Sequence, residues 1–300
     1  MRLCRFYLPD QGARLGQLVA GEIHDLTATV QPHFAPLTSL LQASAQSTIE
    51  GLLQGVSLPA LPTHAYADLD RAPALDVPHL LPPVDRQEVW AAGVTYTRSR
   101  EARVREAVTQ DVYERVYEAE RPELFFKSTA EKVVGPNDWI GLRGDSHWNV
   151  PEPELALVLN PQMQIVGYTV GNDVSSRDIE GQNPLYLPQA KVYRHACALG
   201  PAITLAGEGV DAQNLAIRLT IHRGGVPAYQ GETSTAHIHR SLVELVGYLA
   251  RYQDFRCGAM LLTGTGIVPG DDLTLADGDE VSIEIESIGV LRNPVVQMKE

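Results

Sequence analysis

The segment Asn149-Val150-Pro151-Glu152-Pro153-Glu154-Leu155-Ala156-Leu157-Val158 constrains this chain more than any other, because it sends two acids straight into an apolar strand. Residues i and i+2 of a strand point to the same face, so Glu152 and Glu154 lie side by side. Like charges at that separation repel unless a cation stands between them. Pro151 and Pro153 remove two ladder donors, which predicts an edge strand or an irregular approach. A third acid, Asp173, ends another candidate strand in Gly171-Asn172-Asp173-Val174-Ser175-Ser176-Arg177-Asp178. Three carboxylates in two segments that themselves hold no Cys or His suit a hard, oxygen-seeking ion such as Mg²⁺ or Mn²⁺. A solvated acidic edge followed by an Asp–Arg turn is the other reading of the same spacing.

The surrounding pattern is mostly β. Glu154–Leu159, Gln164–Val170, Ala202–Leu205, Ala216–His222 and Glu280–Ile288 read as strands, with Gly224-Gly225 as a tight hairpin turn. Ser241-Leu242-Val243-Glu244 is a capping box that opens a helix through Leu249. Strands also fit Leu3–Leu8, Leu15–Ala20, Glu22–Leu26 and Val89–Val94, and a helix fits Leu37–Leu53. Many strands, few helices and no regular alternation predict a β-rich α+β fold rather than a doubly wound sheet. Pro78, Pro82 and Pro83 mark a linker, which divides the chain into a small α+β unit at 1–84 and a larger unit at 85–300. Val104, Val108, Val112 and Val116 recur every four residues, giving an amphipathic helix within 98–121 that could cover a site.

Composition narrows the function. Lys plus Arg number 24 against 37 Asp plus Glu, a net charge of −13, which argues against nucleic acid or an anionic membrane as partner. No apolar run reaches membrane-spanning length and the first residues carry no secretory h-region. Cys4, Cys197 and Cys257 form neither a disulfide framework nor a metal pair, so a reducing cytoplasm is expected. Gly264-Thr265-Gly266 completes neither a P-loop nor a dinucleotide fingerprint, and no GxSxG elbow occurs. His237 and His239 lack a third soft ligand for zinc. Lys191 is a lone cation in an apolar stretch, on residue type alone a snorkelling surface lysine.

The runs PEPELALVL, GYTVGNDVSSRD, QAKVYRHACALGPAI and MLLTGTGIVPGDD, in this order, resemble the fumarylacetoacetate hydrolase superfamily over about residues 85–295. The resemblance implies a rolled mixed β-sheet core, often preceded by a small N-terminal domain. It implies Glu152, Glu154 and Asp173 as metal ligands, Lys191 facing a bound 2-oxo acid, and Thr265 of the TGT run at the substrate carboxylate. Arg177 stands where the family has an arginine after the metal-binding aspartate, and Glu180 where it usually has glutamine. Hydrolytic members carry a motif like NYxxHxxE, whose His and Glu activate water. Here the stretch is Thr95-Tyr96-Thr97-Arg98-Ser99-Arg100-Glu101, with Ser99 in the histidine position. Arg121-Pro122-Glu123-Leu124-Phe125-Phe126-Lys127-Ser128 and Asp178–Tyr186 instead resemble the branch that dehydrates 2-keto-3-deoxy sugar acids, where Glu123 matches a glutamate acting with the lysine. Substrate contacts are thereby expected at Thr265, Arg177, Lys127, Ser99 and Glu180, and catalysis at Lys191 and Glu123.

The chemistry is coherent in its own right. A hard ion on three carboxylates keeps open positions for a 2-oxo acid, polarises the ketone and stabilises the enolate left by C3 deprotonation. An amine beside such an ion is pushed toward its neutral form, as a base must be. The expected reaction is Mg²⁺-dependent loss of water from a 2-keto-3-deoxypentonate, giving 2,5-dioxopentanoate in a homo-oligomeric (dimeric or tetrameric) enzyme. Hydrolysis of an acylpyruvate or diketo acid, or 2-oxo-acid binding without turnover, are the alternatives.

Overall fold

The computed structural model describes residues 1–97, 115–207 and 209–299. The helix expected over 98–121 and the Ser99 position lie largely or wholly outside them, although residues 115–118 are helical.

Ten strands run through one large sheet. In chain order they are β1 (Arg2–Leu8), β2 (Gly12–Val19), β3 (Glu22–Asp25), β4 (Thr63–Ala65), β6 (Glu88–Gly93), β7 (Glu123–Ser128), β11 (Pro153–Leu159), β12 (Ile165–Asp173), β14 (Cys197–Leu205) and β17 (Ala259–Leu262). They lie side by side as β4-β3-β2-β1-β14-β12-β11-β17-β6-β7, with β5 (His79–Leu81) on β1 and β8 (Val133–Val134) on β14. Most pairs are antiparallel; β17 with β6 and β14 with β8 are parallel, so the sheet is mixed. The β-rich α+β architecture expected from the pattern is the one observed.

A second sheet contains β9 (Ile140–Leu142), β15 (Ala216–Arg223), β16 (Val226–Ser234), β18 (Glu280–Ile285) and β19 (Gly289–Gln297), in the order β16-β15-β18-β19-β9. Two short strands, β10 (Asn149–Val150) and β13 (Ser175–Ser176), pair by themselves. Ile217, Leu219, Ile221, Val281, Ile283 and Ile285 pack in one apolar cluster with Leu155, Leu157 and Leu159 of β11. The intervening Ala156 and Val158 join a different cluster, with Leu37, Leu40 and Leu41 of the helix Leu37–Ala43. Successive side chains of β11 thus enter opposite cores, which is why the strand is apolar without alternation and buried at every residue.

This corrects the edge-strand expectation: β11 is central, between β12 and β17. Proline is accommodated because Pro153 is the first residue of the strand, where no interior ladder bond is lost. The helix expected over Leu37–Leu53 is two, Leu37–Ala43 and Ile49–Leu53, the second opened by Thr48, whose hydroxyl accepts from Gly51 N. No helix among the described residues is long and apolar enough to cross a membrane.

Candidate active site

One end of the large sheet gathers the chemistry-bearing residues. β11, β14 and β7 begin there, and β12, β17 and β6 end there, because β11 is antiparallel to β12 and β17, and β6 runs parallel to β17. Glu154 lies opposite Gly171, and Pro153 opposite Asn172, which brings Asp173 level with Glu152. Asp173 N donates to Glu152 O at 3.0 Å, so the ladder continues one step past the strand. Sheet geometry therefore converts two sequence-distant motifs into one cluster. The carboxylates of Glu152, Glu154 and Asp173 each offer an oxygen within 4.8 Å of the others, and all three residues are buried.

Each carboxylate is held from behind by one oxygen. Arg177 Nη2 donates to Glu152 Oε1 at 2.8 Å, Lys127 Nζ pairs with Asp173 Oδ1 at 2.5 Å, and Gly264 N donates to Glu154 Oε2 at 2.6 Å. Lys191 Nζ bridges the opposite oxygens of two of them, 2.7 Å from Glu152 Oε2 and 3.0 Å from Asp173 Oδ2. It is 2% exposed, so the surface position read from its residue type is replaced by a buried ion pair. The ammonium also lies 5.7 Å from the centre of the Phe125 ring. No lysine or arginine among the described residues pairs with Glu154, whose carboxyl is pushed well above the usual range by burial and then by the charges of Asp173 and Glu152. Burial, with a smaller contribution from Glu154, likewise raises the Tyr96 phenol.

The other expected residues gather less uniformly. Glu123 starts β7 opposite Gly93, and with Phe125, Lys191, Gly264 and Thr265 it lines the same cavity as the three carboxylates, a space of about 20 Å³. That is room for about one water-sized body. Thr265 is buried, its hydroxyl donating to Ile267 O and accepting from Ile267 N. Glu180 is buried beside Arg177, Oε2 lying 3.7 Å from Nη1. Lys127 does not line the cavity; its ammonium is directed to Asp173, Val174 O and Lys191 O. His239 stacks on Tyr117 rather than approaching a metal cluster.

The family profile described as "Fumarylacetoacetate (FAA) hydrolase C-terminal" matches residues 88–296. The chain belongs to that family. It is 51% identical over 217 residues to a probable 2-keto-3-deoxyxylonate dehydratase of Haloferax volcanii, covering 72% of this chain and 75% of the relative. It is 44% identical over 222 residues to 2-dehydro-3-deoxy-D-arabinonate dehydratase of Saccharolobus solfataricus, covering 73% and 74%. Among solved structures, 2-keto-3-deoxy-D-arabinonate dehydratase complexed with magnesium and 2,5-dioxopentanoate superposes over the full length of both chains, with TM-score 0.84 at 34% identity.

Within this fumarylacetoacetate hydrolase fold, two glycines do work that residue type does not advertise. Gly264 has φ +89°, and a Cβ there would overlap the Thr95 hydroxyl. Only glycine tolerates both conditions, and they aim its N–H at Glu154. A Cβ on Gly93 would overlap the carboxylate of Glu123. In the sequence the TGT run pointed to Thr265 alone; what Gly264 donates to became visible only when β17 met β11.

Proposed function

We propose that this chain is a divalent-metal-dependent hydro-lyase that removes water from a 2-keto-3-deoxypentonate to give 2,5-dioxopentanoate. The observation that carries the reading is the buried oxygen-only cluster of Glu152, Glu154 and Asp173 with Lys191 against it, in a chain half identical to a probable dehydratase of this substrate class. The donor set fits Mg²⁺, or Mn²⁺, since hard ions prefer carboxylate oxygens. The sign of the charge fits as well. Four buried carboxylates (Glu152, Glu154, Asp173, Glu180) outnumber three buried cations (Lys127, Arg177, Lys191), and by more once Lys191 is the neutral base it is assigned to be, an excess of negative charge that suits a divalent ion.

When bound, the ion supplies positive charge to the 2-oxo group of the substrate and to the charge that develops on its C2 oxygen. Lys191, carried on the helix Leu187–Lys191, is assigned the C3 proton. Glu123, across the same cavity, is assigned the proton that leaves with the C4 hydroxyl as water. C3 regains a proton as C5 loses one, which moves the double bond to C4=C5 as an enol; C4 then gains a proton as the C5 hydroxyl loses one, leaving the aldehyde. Thr265, Arg177 and Glu180 are assigned to orient the substrate, Arg177 also holding Glu152 in place. Ser99 stands where the hydrolases have histidine, and an unassisted hydroxyl is a poor base for water activation. The same reading takes the chain to be a cytoplasmic homo-oligomer, dimer or tetramer, its three free thiols suited to a reducing compartment.

Incubation with a panel of 2-keto-3-deoxy acids and acylpyruvates, followed by mass spectrometry, tests the proposal. The expected result is loss of one water from a 2-keto-3-deoxypentonate, abolished by chelator and restored by Mg²⁺, with acetylpyruvate and fumarylpyruvate untouched. Pyruvate released from an acylpyruvate at a comparable rate would make the enzyme a hydrolase.

A further inference from the structure

Lys127 is the least exposed cation of the site, its side chain 0% accessible. It occupies a β-bulge: Val89 faces Ser128 and Trp90 faces Phe126, so Lys127 between them has no cross-strand partner. Bulges beside active sites re-aim a side chain at the expense of a ladder step. Here the re-aimed ammonium meets three acceptors, Asp173 Oδ1 at 2.5 Å, Lys191 O at 2.6 Å and Val174 O at 3.0 Å. Two of the ammonium's protons are donated to the carbonyls of Val174 and Lys191, and the Asp173 contact is a close ion pair.

We infer that Lys127 is a positioning residue that ties Asp173 and the end of the Lys191 helix into one unit, and that it makes no contact with substrate. Two of its acceptors belong to consecutive residues, the Asp173 side chain and the Val174 carbonyl, so both the carboxylate and the backbone leaving it are fixed. The third is the carbonyl of Lys191 itself. Fixing Oδ1 from behind leaves Oδ2 turned toward Lys191 and the other carboxylates. The group expected to take the C3 proton and one of the groups expected to hold the ion are thus set at a fixed separation by a residue that touches neither reactant. This inference rests on the dehydratase reading for its metal and substrate.

Lys127→Met keeps the stem and deletes the donors. Titration of the metal-free protein with Mn²⁺, followed by the metal's own paramagnetic signal, should give a dissociation constant raised about 10- to 100-fold, the usual effect of losing a residue that orients a ligand. At saturating Mn²⁺, kcat should fall while KM for 2-keto-3-deoxypentonate stays within about twofold, because uniform substrate binding has not been removed. A raised KM with unchanged Mn²⁺ affinity would make Lys127 a substrate contact and overturn the inference. A lowered melting temperature with Mn²⁺ affinity and kcat both unchanged would overturn it too. Should Lys127→Met fail to fold, a crystal structure of the wild-type protein with Mg²⁺ and pyruvate decides. Nζ remaining on Asp173, Val174 and Lys191 upholds the inference, and Nζ within hydrogen-bond distance of pyruvate refutes it. Wild-type protein that binds no Mn²⁺ and turns over no 2-keto-3-deoxy acid would refute the dehydratase reading instead, and the location of Nζ would still be read independently.

Discussion

Glu154 accepts a hydrogen bond from Gly264 N yet pairs with no lysine or arginine among the described residues, in a position 1% exposed. Burial raises its folded pKa above the unfolded value. A carboxyl shifted in that direction favours the fold while protonated, below the unfolded value, and loses that contribution as pH rises through the folded value. Metal-free protein should therefore lose thermal stability as pH climbs out of the carboxylate range. Glu154→Gln should flatten that slope and stabilise the metal-free protein by about 1–3 kcal/mol at mildly alkaline pH, while losing Mg²⁺ binding. Melting curves against pH with chelator present, set beside a metal titration, check both halves. Gly93 gives a second test at this scale. A Cβ there displaces the flexible end of Glu123 rather than any backbone, so Gly93→Ala should fold with little change in melting temperature. Its kcat should drop about 100-fold, the order of loss expected when a proton donor is moved out of line. Unchanged turnover would remove Glu123 from the mechanism.

At the scale of elements, what was legible in the sequence is what local chemistry decides. The Ser241 capping box gives the helix Leu242–Leu249 as expected, with the Ser241 hydroxyl accepting from Glu244 N at 3.1 Å. Gly224 and Gly225 adopt φ of +59° and +81°, which supports the tight turn between β15 and β16. Ser241→Ala should lower stability by about 1 kcal/mol and leave kcat unaltered, as denaturant melts and steady-state rates will report. Strands whose own residues carry no pattern were not legible. β16 is a half-exposed outer strand with no clean alternation, and β19 carries Pro294 in its interior; each is specified by the strand it pairs with, β15 and β18. The central place of β11 was hidden for the same reason, since neither β17 nor β12 announces itself at Pro153. For the site, the i, i+2 acids and the family runs pointed to Glu152, Glu154, Asp173 and Lys191. The backing donors, Gly264 N above all, belong to tertiary contacts that no local pattern encodes.

On the scale of the whole molecule, residues 1–84 are joined to the remainder through a shared sheet and a shared core. Arg2 and Leu3 of β1 pair with Thr204 and Ile203 of β14. Leu37, Leu40 and Leu41 bury against Val158, Met260 and Leu262. Deleting residues 1–84 would bare that apolar face together with part of the β14 edge, which is the recipe for self-association. The fragment 85–300 should accumulate as aggregate, measured by size-exclusion chromatography and light scattering. A soluble fragment with full turnover would make the larger unit autonomous.

The seam between β1 and β14 also sets a schedule. While the polypeptide is being made, β1 can pair with β2 and β5 within the first part of the chain, but its Arg2–Leu3 end waits for Ile203 and Thr204. At about 5–20 residues per second the ribosome needs roughly 10–40 s to deliver them. For that interval the nascent chain presents an open strand edge with no partner yet synthesised. Its yield in the cell should depend on translation speed and on whatever shields that edge during the wait.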